Sequence, residues 1–285
     1  MPIRKILIAM DSFKGSLPAS IVVEKIKQGF INAGYDGTIV SLPISDGGDG
    51  LIEALSQCQS FETFNKITVP VLGPESKPVK ANYLQKGETC IIEMAQAAGL
   101  THIKSSHLHC SQMTTYGLGE LILKAYERGA RNFWIGLGGS ATNEMGLGCF
   151  QAMGTKFYDR DHNLIQTPIS SEKLTEIYSI DPSFMSNRFK SCSFNCITDV
   201  SHPLLGANGA TYTFGPQKGA TQRELAAMEQ GMTHMVDVLE QHFKANFSSV
   251  PGAGAAGGLG AGMKWFLGAC LLYTSPSPRD ISGSR

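Results

Sequence analysis

The chain has 285 residues, of which 42% are hydrophobic, and its 24 basic side chains balance 24 acidic ones. This composition is typical of a globular protein with one large domain or two smaller ones. Zero formal charge gives no basic surface for nucleic acid or an anionic membrane, so we expect small-molecule partners. No apolar run approaches the roughly 18 residues needed to cross a bilayer or forms a signal-peptide core, so we expect a cytoplasmic protein.

The first part of the chain alternates strands and helices. The apolar run RKILIAM predicts a buried strand, and the helix after it has Ser16 as a candidate N-cap and Pro18 in its first turn. A second strand, TIVSLPI, is followed by a helix over residues 51–58. This order predicts a parallel sheet covered by helices.

The middle and later parts predict a sheet that becomes mixed. FNKITVPVLG and KPVKANYLQKGETCIIEMA have the pattern of successive strands, and a helix over residues 118–128 leads to the strand RNFWIG. SFNCITD and ATYTF are predicted as strands, residues 223–244 as a long helix, and PGAGAAGGLGAGMKWF as a tight turn that opens a helix. The predicted class is therefore α/β.

Three aspartates share one type of position, because Asp11, Asp46 and Asp199 each follow the apolar part of a predicted strand. Ligands gather at this edge of open α/β sheets, although Asp is also common at ordinary strand-to-loop junctions. In DSFKGS, Lys14 and the backbone N–H groups suit an anion. In SDGGDGL, the carboxylates of Asp46 and Asp49 flank two glycines, which suits a polyol or a hydrated Mg²⁺; the alternative is a turn without a ligand.

The segment GLGGSATNEMGLG follows a predicted strand and allows two interpretations. It fits the dinucleotide pattern G-x-G-x-x-A at Gly136, Gly138 and Ala141, with Asp159 about 20 residues further on, which predicts an NAD-dependent oxidoreductase. The close glycines and the Ser140 hydroxyl also suit a phosphate group. A second cation, Lys218, lies in FGPQKGA, where the alternative is a solvated loop lysine.

Eight blocks in order resemble the bacterial glycerate kinases, and they cover the chain to about residue 270. The blocks are MDSFKGSLPA, ISDGGDG, IIEMAQAAGL, TTYGLGELI, GLGGSATNE, DVSHPLLGANGA, FGPQKGA and PGAGAAGGLGAG. The resemblance implies ATP-dependent phosphorylation of D-glycerate, usually at the 2-hydroxyl, with Mg²⁺, in two α/β domains around a cleft. It favours a kinase over the NAD-dependent oxidoreductase; a non-catalytic protein that binds sugar acids is a third alternative.

The resemblance and the motif chemistry together give each candidate residue a role. Asp199 is the candidate base, Lys14 and Asp46 are further catalytic candidates, and Asp46 with Asp49 is the candidate Mg²⁺ site. The residues expected to bind substrate or phosphate are Asp11, Ser12, Asp49, Gly138, Gly139, Ser140, Asn143, Gln217 and Lys218. The chain departs from the family pattern at Glu144, Met145 and His202, where the family has Asp, Gly and Asn.

The resemblance also predicts the domain organisation. Residues 1–100 are expected to form a first domain with a Rossmann- or flavodoxin-like parallel sheet, and residues 101–269 a second, inserted domain. Family members continue into a further α/β segment that returns to the first sheet, so that sheet is expected to be incomplete here and activity or solubility to suffer. The residues CLLYTSPSPRD match a translated transposon-end sequencing adaptor, so we interpret residues 270–285 as non-native; a disordered Pro/Ser-rich tail is the alternative.

Overall fold

A computed structural model of the chain describes residues 4–13, 16–58, 61–104 and 108–273. The strands are β1 (Lys5–Met10), β2 (Thr38–Pro43), β3 (Asn65–Leu72), β4 (Pro78–Lys86), β5 (Thr89–Glu93), β6 (Asn132–Gly136), β7 (Lys156–Tyr158), β8 (Ser179–Asp181), β9 (Ser193–Thr198) and β10 (Cys270–Tyr273). The α-helices are α1 (Ala19–Asn32), α2 (Leu51–Ser56), α3 (Ala95–Ala98), α4 (Tyr116–Glu127), α5 (Leu147–Ala152), α6 (Ser183–Phe189), α7 (Ala210–Phe214), α8 (Gln222–Phe243) and α9 (Ala255–Leu267). The predicted α/β class is confirmed.

Six strands form the central sheet, in the order β10-β9-β6-β5-β4-β3. β5, β6, β9 and β10 are parallel, whereas β3, β4 and β5 pair antiparallel. The connections explain the difference: α3 and α4 lie between β5 and β6 and allow a crossover, while a short turn over residues 73–77 reverses the chain between β3 and β4. The predicted change from parallel to mixed pairing is confirmed.

The remaining early elements form a small N-terminal layer, made of β1, β2 and α1. β1 and β2 pair in parallel, and α1 buries Val22 and Val23, which are each 3% exposed. RKILIAM forms the predicted strand, but the prediction that it is buried is wrong, because Ile8 is buried while Leu7 is 62% exposed. The predicted N-cap at Ser16 is wrong, because α1 begins at Ala19 and Pro18 is the residue that flanks it. Pro18 has the extended backbone that a flanking residue adopts, and its side chain offers no hydrogen bond to the helix.

The segment ATYTF was the one clear error among the predicted elements. It forms the helix α7 and not a strand, with the Gly215 N–H donating to the Thr211 carbonyl at 2.9 Å. Thr, Tyr and Phe favour strands only where a sheet is present to pack against. Here Ala210 and Thr211 are fully buried between α8 and α9, and this tertiary packing overrides the local preference.

The structure leaves the predicted domain boundaries untested. The central sheet takes strands from both sides of residue 100, since β3 to β5 precede it and β6, β9 and β10 follow it. Cys270–Tyr273, the first part of the segment interpreted as non-native, pairs with β9, while residues 274–285 lie outside the described residues. The described part of the chain contains no helix that is long and apolar enough to cross a membrane.

Candidate functional site

The candidate site forms where three parallel strands of the central sheet end. Glu93, at the end of β5, lies opposite Gly136 at the end of β6, and Gly136 lies opposite Ile197 in β9. The carboxyl ends of these strands therefore form one edge, as the predicted parallel sheet requires. The segment that follows β6, residues 136–143, is called the glycine loop below.

A second loop, residues 45–50, packs directly on this edge and is called the acidic loop. The Gly138 N–H donates to the Gly47 carbonyl at 3.2 Å, and the Ile197 side chain lies against Gly47. The contact depends on glycine, because a Cβ at Gly138 would lie 2.3 Å from the Gly48 Cα. The two motifs that stood out separately in the sequence thus form one backbone-to-backbone contact.

The predicted acids collect around this contact. The Asp46 carboxylate accepts the Gly48 N–H at 2.8 Å, and the Asp49 carboxylate lies against Gly139, where a Cβ would come within 2.5 Å of it. Asp199 is half-buried and follows Ile197 by two residues. The structure therefore brings Asp46, Asp49 and Asp199 to the same edge of the central sheet, although they come from distant parts of the chain.

Asp11 joins this group through the N-terminal layer. β1 and β2 run side by side, and the Ile44 N–H donates to the Met10 carbonyl at 3.1 Å, so Asp11 follows β1 next to the start of the acidic loop. Its own carboxylate accepts the Ser12 N–H at 2.6 Å. The prediction for Lys14 falls outside the described residues.

A cavity of about 300 Å³ lies beside the acidic loop. Ser12 and Asp49, both predicted site residues, line it together with a second carboxylate, further hydroxyl groups, apolar side chains and Gly50: Glu53, Ser16, Ser20, Thr101, Phe13, Leu17, Pro18, Ala19, Ala54 and Gly50. Its volume is at the lower limit for small-molecule sites in proteins. The cavity therefore suits a ligand of a few heavy atoms with hydroxyl groups.

Lys218 has a different position from the one expected of an anion-binding lysine. Its side chain is buried, and the ammonium donates at 2.7 Å both to the Ser140 hydroxyl and to the Thr142 carbonyl. Burial lowers the pKa of Lys218 to about 8, against an opposing effect of Cys110 and Glu144. Lys218 therefore holds the glycine loop in place, and the neighbouring Gln217 lies exposed in the same turn.

Asn143 connects the glycine loop to α7. Its amide group donates to the Thr211 hydroxyl at 3.1 Å. Its Oδ1 atom and the Thr142 hydroxyl are buried with no hydrogen-bond partner among the described residues. Buried polar atoms are usually satisfied, so these two atoms mark the loop as a place where a polar ligand group would complete the bonding.

The residues that depart from the family pattern lie away from the acidic loop. The Glu144 carboxylate is completely buried and accepts the Thr115 and Gly148 N–H groups at 3.0 and 3.2 Å, at the starts of α4 and α5. Met145 adopts a left-handed backbone with φ 58° and donates its N–H to the Gly257 carbonyl. The His202 ring packs edge-on against Phe214. Glu144 and Met145 therefore have structural hydrogen bonds, whereas His202 Nδ1 is buried with no hydrogen-bond partner among the described residues.

Glu93 is the site residue that the sequence analysis missed. It ends β5 and accepts the N–H groups of Gly50 and Ile52 next to the acidic loop. The signal was present, since Glu93 is an acid directly after the apolar part of a predicted strand, like Asp11, Asp46 and Asp199.

The dinucleotide interpretation does not fit the structure. Asp159 follows β7, which pairs with β8 in a separate two-stranded antiparallel sheet. In a dinucleotide fold the acid follows a strand of the same parallel sheet as the glycine loop. Asp159 is instead exposed and accepts the N–H groups of Asp161 and Asn163 within its own turn, which lowers its pKa.

The site residues fit Mg²⁺ and phosphate groups. The described residues contain no cluster of three or more His, Cys, Asp or Glu side chains able to hold a metal ion. Mg²⁺ is nevertheless commonly bound through one or two carboxylates, with water and substrate phosphates as its other ligands, and Asp46 with Asp49 provides that number. The glycine loop, with Gly139 in a left-handed conformation (φ 75°), is the kind of backbone turn that binds phosphate.

Comparison with known proteins identifies the family. The model of the glycerate kinase family matches residues 6–275. The chain is 41% identical over 270 residues to the glycerate 2-kinase of Escherichia coli K12 and 38% identical over 269 residues to a glycerate kinase of Bacillus subtilis 168; each match covers 94% of this chain and 69% of the relative. A crystal structure of a candidate glycerate kinase 2 from Salmonella typhimurium LT2 superposes with a TM-score of 0.80 at 36% identity, over 95% of this chain and 72% of that one. The chain therefore belongs to the glycerate kinase family, as the order of its motifs predicted.

Proposed function

We propose that the protein transfers the γ-phosphoryl group of ATP to D-glycerate, with Mg²⁺, and that 2-phosphoglycerate is the product. The observation that carries the proposal is the contact between the acidic loop and the glycine loop. It joins two carboxylates to a phosphate-binding type of turn at the carboxyl edge of a parallel sheet, in a chain that belongs to the glycerate kinase family. Phosphoryl transfer depends mainly on this kind of positioning and charge neutralisation.

In this proposal the acidic loop and the glycine loop have separate tasks. Asp46 and Asp49 hold Mg²⁺, which neutralises charge on the phosphates when bound. Gly138, Gly139 and Ser140 contact phosphate or the glycerate carboxylate through backbone N–H and hydroxyl groups.

The remaining site residues support the reaction. Asp199 accepts the proton of the attacking hydroxyl group, and the cavity beside Ser12 and Asp49 has a size that suits a three-carbon acid. Lys218 contributes by fixing Ser140 and Thr142. Lys14 also takes part in catalysis, and Asp11 and Gln217 bind substrate or phosphate.

The reaction is tested by measuring ADP formation with D-glycerate, in parallel with the absorbance change of NAD(H) with 2-hydroxy acids. We expect ADP formation only, and phosphorus NMR of the product distinguishes 2-phosphoglycerate from 3-phosphoglycerate. A change in NAD(H) absorbance without ADP formation would overturn the proposed activity.

The role of Asp199 is tested by Asp199→Asn, which keeps the shape and removes the proton acceptor. We expect kcat to fall by about 100-fold or more, because general bases contribute about 10²–10⁴ to rate. A variant that retains kcat within tenfold of the unsubstituted protein would remove Asp199 as the base.

We also propose that the protein acts in the cytoplasm. The support is the small, polar substrates of the proposed reaction. Fractionation of cells that express a tagged chain tests this directly.

A further inference from the structure

Glu93 connects the acidic loop to the central sheet. Its side chain is 2% exposed, and its two carboxylate oxygens accept the Gly50 N–H at 3.1 Å and the Ile52 N–H at 3.2 Å. Gly50 ends the acidic loop, and Ile52 lies in the first turn of α2. One buried carboxylate from β5 thus binds the point at which the loop becomes a helix.

The start of α2 needs such a partner. A helix leaves its first N–H groups without acceptors inside the helix, and α2 has only six residues and no cap from the side chain of its flanking residue. Gly50, the flanking residue, has a left-handed backbone with φ 93°. Because the acceptor for these N–H groups comes from β5, the start of α2 is fixed relative to the sheet edge and not only relative to its own loop.

Burial of the Glu93 carboxylate costs free energy unless hydrogen bonds compensate for the lost water. Burial raises the pKa of Glu93, the two backbone N–H bonds and the Gln96 side chain lower it, and Asp49 raises it again. Glu93 accepts the N–H of Gly50, the residue after Asp49, at the end of the loop that carries both proposed Mg²⁺ ligands.

We infer that Glu93 is the positioning residue of the site: it fixes the start of α2 on the sheet edge and thereby holds Asp46 and Asp49 against the glycine loop. The inference rests on the proposed function for its catalytic consequence, but its structural part concerns the chain alone. Glu93 contacts the backbone of the acidic loop and α2, and the reacting atoms are handled by other residues.

The test is Glu93→Gln, studied first without any ligand. The amide is nearly the same size but has only one acceptor oxygen, so one of the two N–H groups would face an N–H₂ group instead. We expect hydrogen exchange to become at least about tenfold faster at whichever of Gly50 and Ile52 loses its acceptor, since that bond is replaced by a clash of donors. Exchange in α8 is the internal reference, because its first N–H groups are capped by its own residues Thr221 and Glu224.

The second readout is the Mg²⁺ requirement. Loss of a residue that orients metal ligands typically costs about 10–100-fold in metal affinity or activity. We therefore expect the Mg²⁺ concentration for half-maximal activity of Glu93→Gln to rise by about that factor, while the KM for glycerate changes by less than about threefold. Glu93→Asp keeps the charge but is one methylene shorter. Its hydrogen exchange and its Mg²⁺ requirement should therefore lie between those of the unsubstituted protein and those of Glu93→Gln.

Glu144→Gln is the matched control. Glu144 is also a buried glutamate that accepts two backbone N–H bonds, at 3.0 and 3.2 Å, but at the starts of α4 and α5. A general loss of stability would appear in both variants, whereas only Glu93→Gln should accelerate exchange at Gly50 or Ile52.

The outcomes separate the two proposals. Unchanged exchange at Gly50 and Ile52 in Glu93→Gln, or equal acceleration in Glu144→Gln, would overturn the positioning role. Faster exchange in a protein that forms no ADP from D-glycerate would support the structural role and reject the proposed function instead. Faster exchange with an unchanged Mg²⁺ requirement would reject the link between Glu93 and the metal ligands. Should Glu93→Gln fail to fold, Glu93→Asp carries the same exchange measurement.

Discussion

The N-terminal layer and the central sheet differ in how completely they are buried. In the central sheet, Phe133 and Phe194 stack at 4.9 Å between ring centres and are 0% and 5% exposed. In the N-terminal layer, α1 covers one face of β1 and β2, while Leu7 on the opposite face is 62% exposed and its partner in register, Val40, is 38% exposed. One region has a complete core and the other a half-covered one.

This difference shows where the geometry of the site comes from. The acidic loop follows the half-covered layer, whereas the glycine loop follows the well-buried sheet. α2 joins the two, because Leu51 and Ile52 pack on Leu84 and Ile91 of the central sheet. Asp11, Asp46 and Asp49 therefore follow strands of the half-covered layer, whereas Asp199 follows β9 of the central sheet, against which the acidic loop is positioned.

The largest expected effect is on stability, from Phe133→Ala in the central sheet. We expect the free energy of unfolding to fall by about 3–5 kcal/mol, because the truncation leaves a cavity beside Phe194 in a fully buried position. Denaturant unfolding measures the change, provided that the variant and the unsubstituted chain have the same m-value.

The control for that variant is Leu7→Ala in the N-terminal layer. Surface substitutions usually change the free energy of unfolding by less than about 0.5 kcal/mol, so Leu7→Ala should be nearly silent. Equal losses from the two variants would show that the exposed face of β1 and β2 is covered in solution.

A smaller effect is expected from pH, through the buried Glu144. Burial raises the pKa of Glu144 to about 7 from a reference of 4.5, so the folded chain binds this proton more tightly than the unfolded chain. The stabilisation is fully present below about pH 4.5 and is lost as pH rises through about 7, by up to about 3 kcal/mol. The stability difference between the unsubstituted chain and Glu144→Gln should therefore shift in favour of Glu144→Gln across that window.

Stability curves at pH 4.5, 6 and 8 measure this shift, with hydrogen exchange in α4 and α5 to locate it. A difference that stays constant with pH would mean that the pKa of Glu144 is the same in the folded and the unfolded chain.

Much of the fold could be predicted from the sequence, because its signals are local. The apolar runs of β1, β2, β6 and β9 and the long pattern of α8 depend on residues near one another, and the structure has each of these elements. ATYTF failed for the opposite reason: its helical state is set by burial between α8 and α9, which no local pattern contains.

The site was predictable as a set of residues but not as a set of contacts. The position of acids after strands found Asp46 and Asp199, since parallel strands end at a common edge. This positional rule could not show that the acidic loop packs on the glycine loop, or that the Lys218 ammonium donates to Ser140 and Thr142. Both contacts join segments about 80 to 90 residues apart in the sequence. The order of the family motifs assigned these segments to one site, but it did not predict the contacts between them.

A further, modest effect on stability is expected from Gly138→Ala, which acts at the contact between the two regions. The added Cβ would lie 2.3 Å from the Gly48 Cα and 3.0 Å from the Gly48 nitrogen, so backbone meets backbone and one loop has to move. We expect a loss of about 1–3 kcal/mol in the free energy of unfolding, typical of overpacking.

For the proposed activity the consequence of Gly138→Ala is much larger than for stability. A displacement of about 1 Å costs on the order of 100-fold in rate when it separates groups that act together, so kcat for ADP formation should fall by about that factor. Gly29→Ala is the control: no atom lies within 4 Å of its new Cβ in α1, and Ala in a helix is favoured by up to about 1 kcal/mol. Full activity of Gly138→Ala together with a loss of stability would mean that the contact between the acidic loop and the glycine loop stabilises the fold but does not position the reacting groups. The two loops would then not form one site.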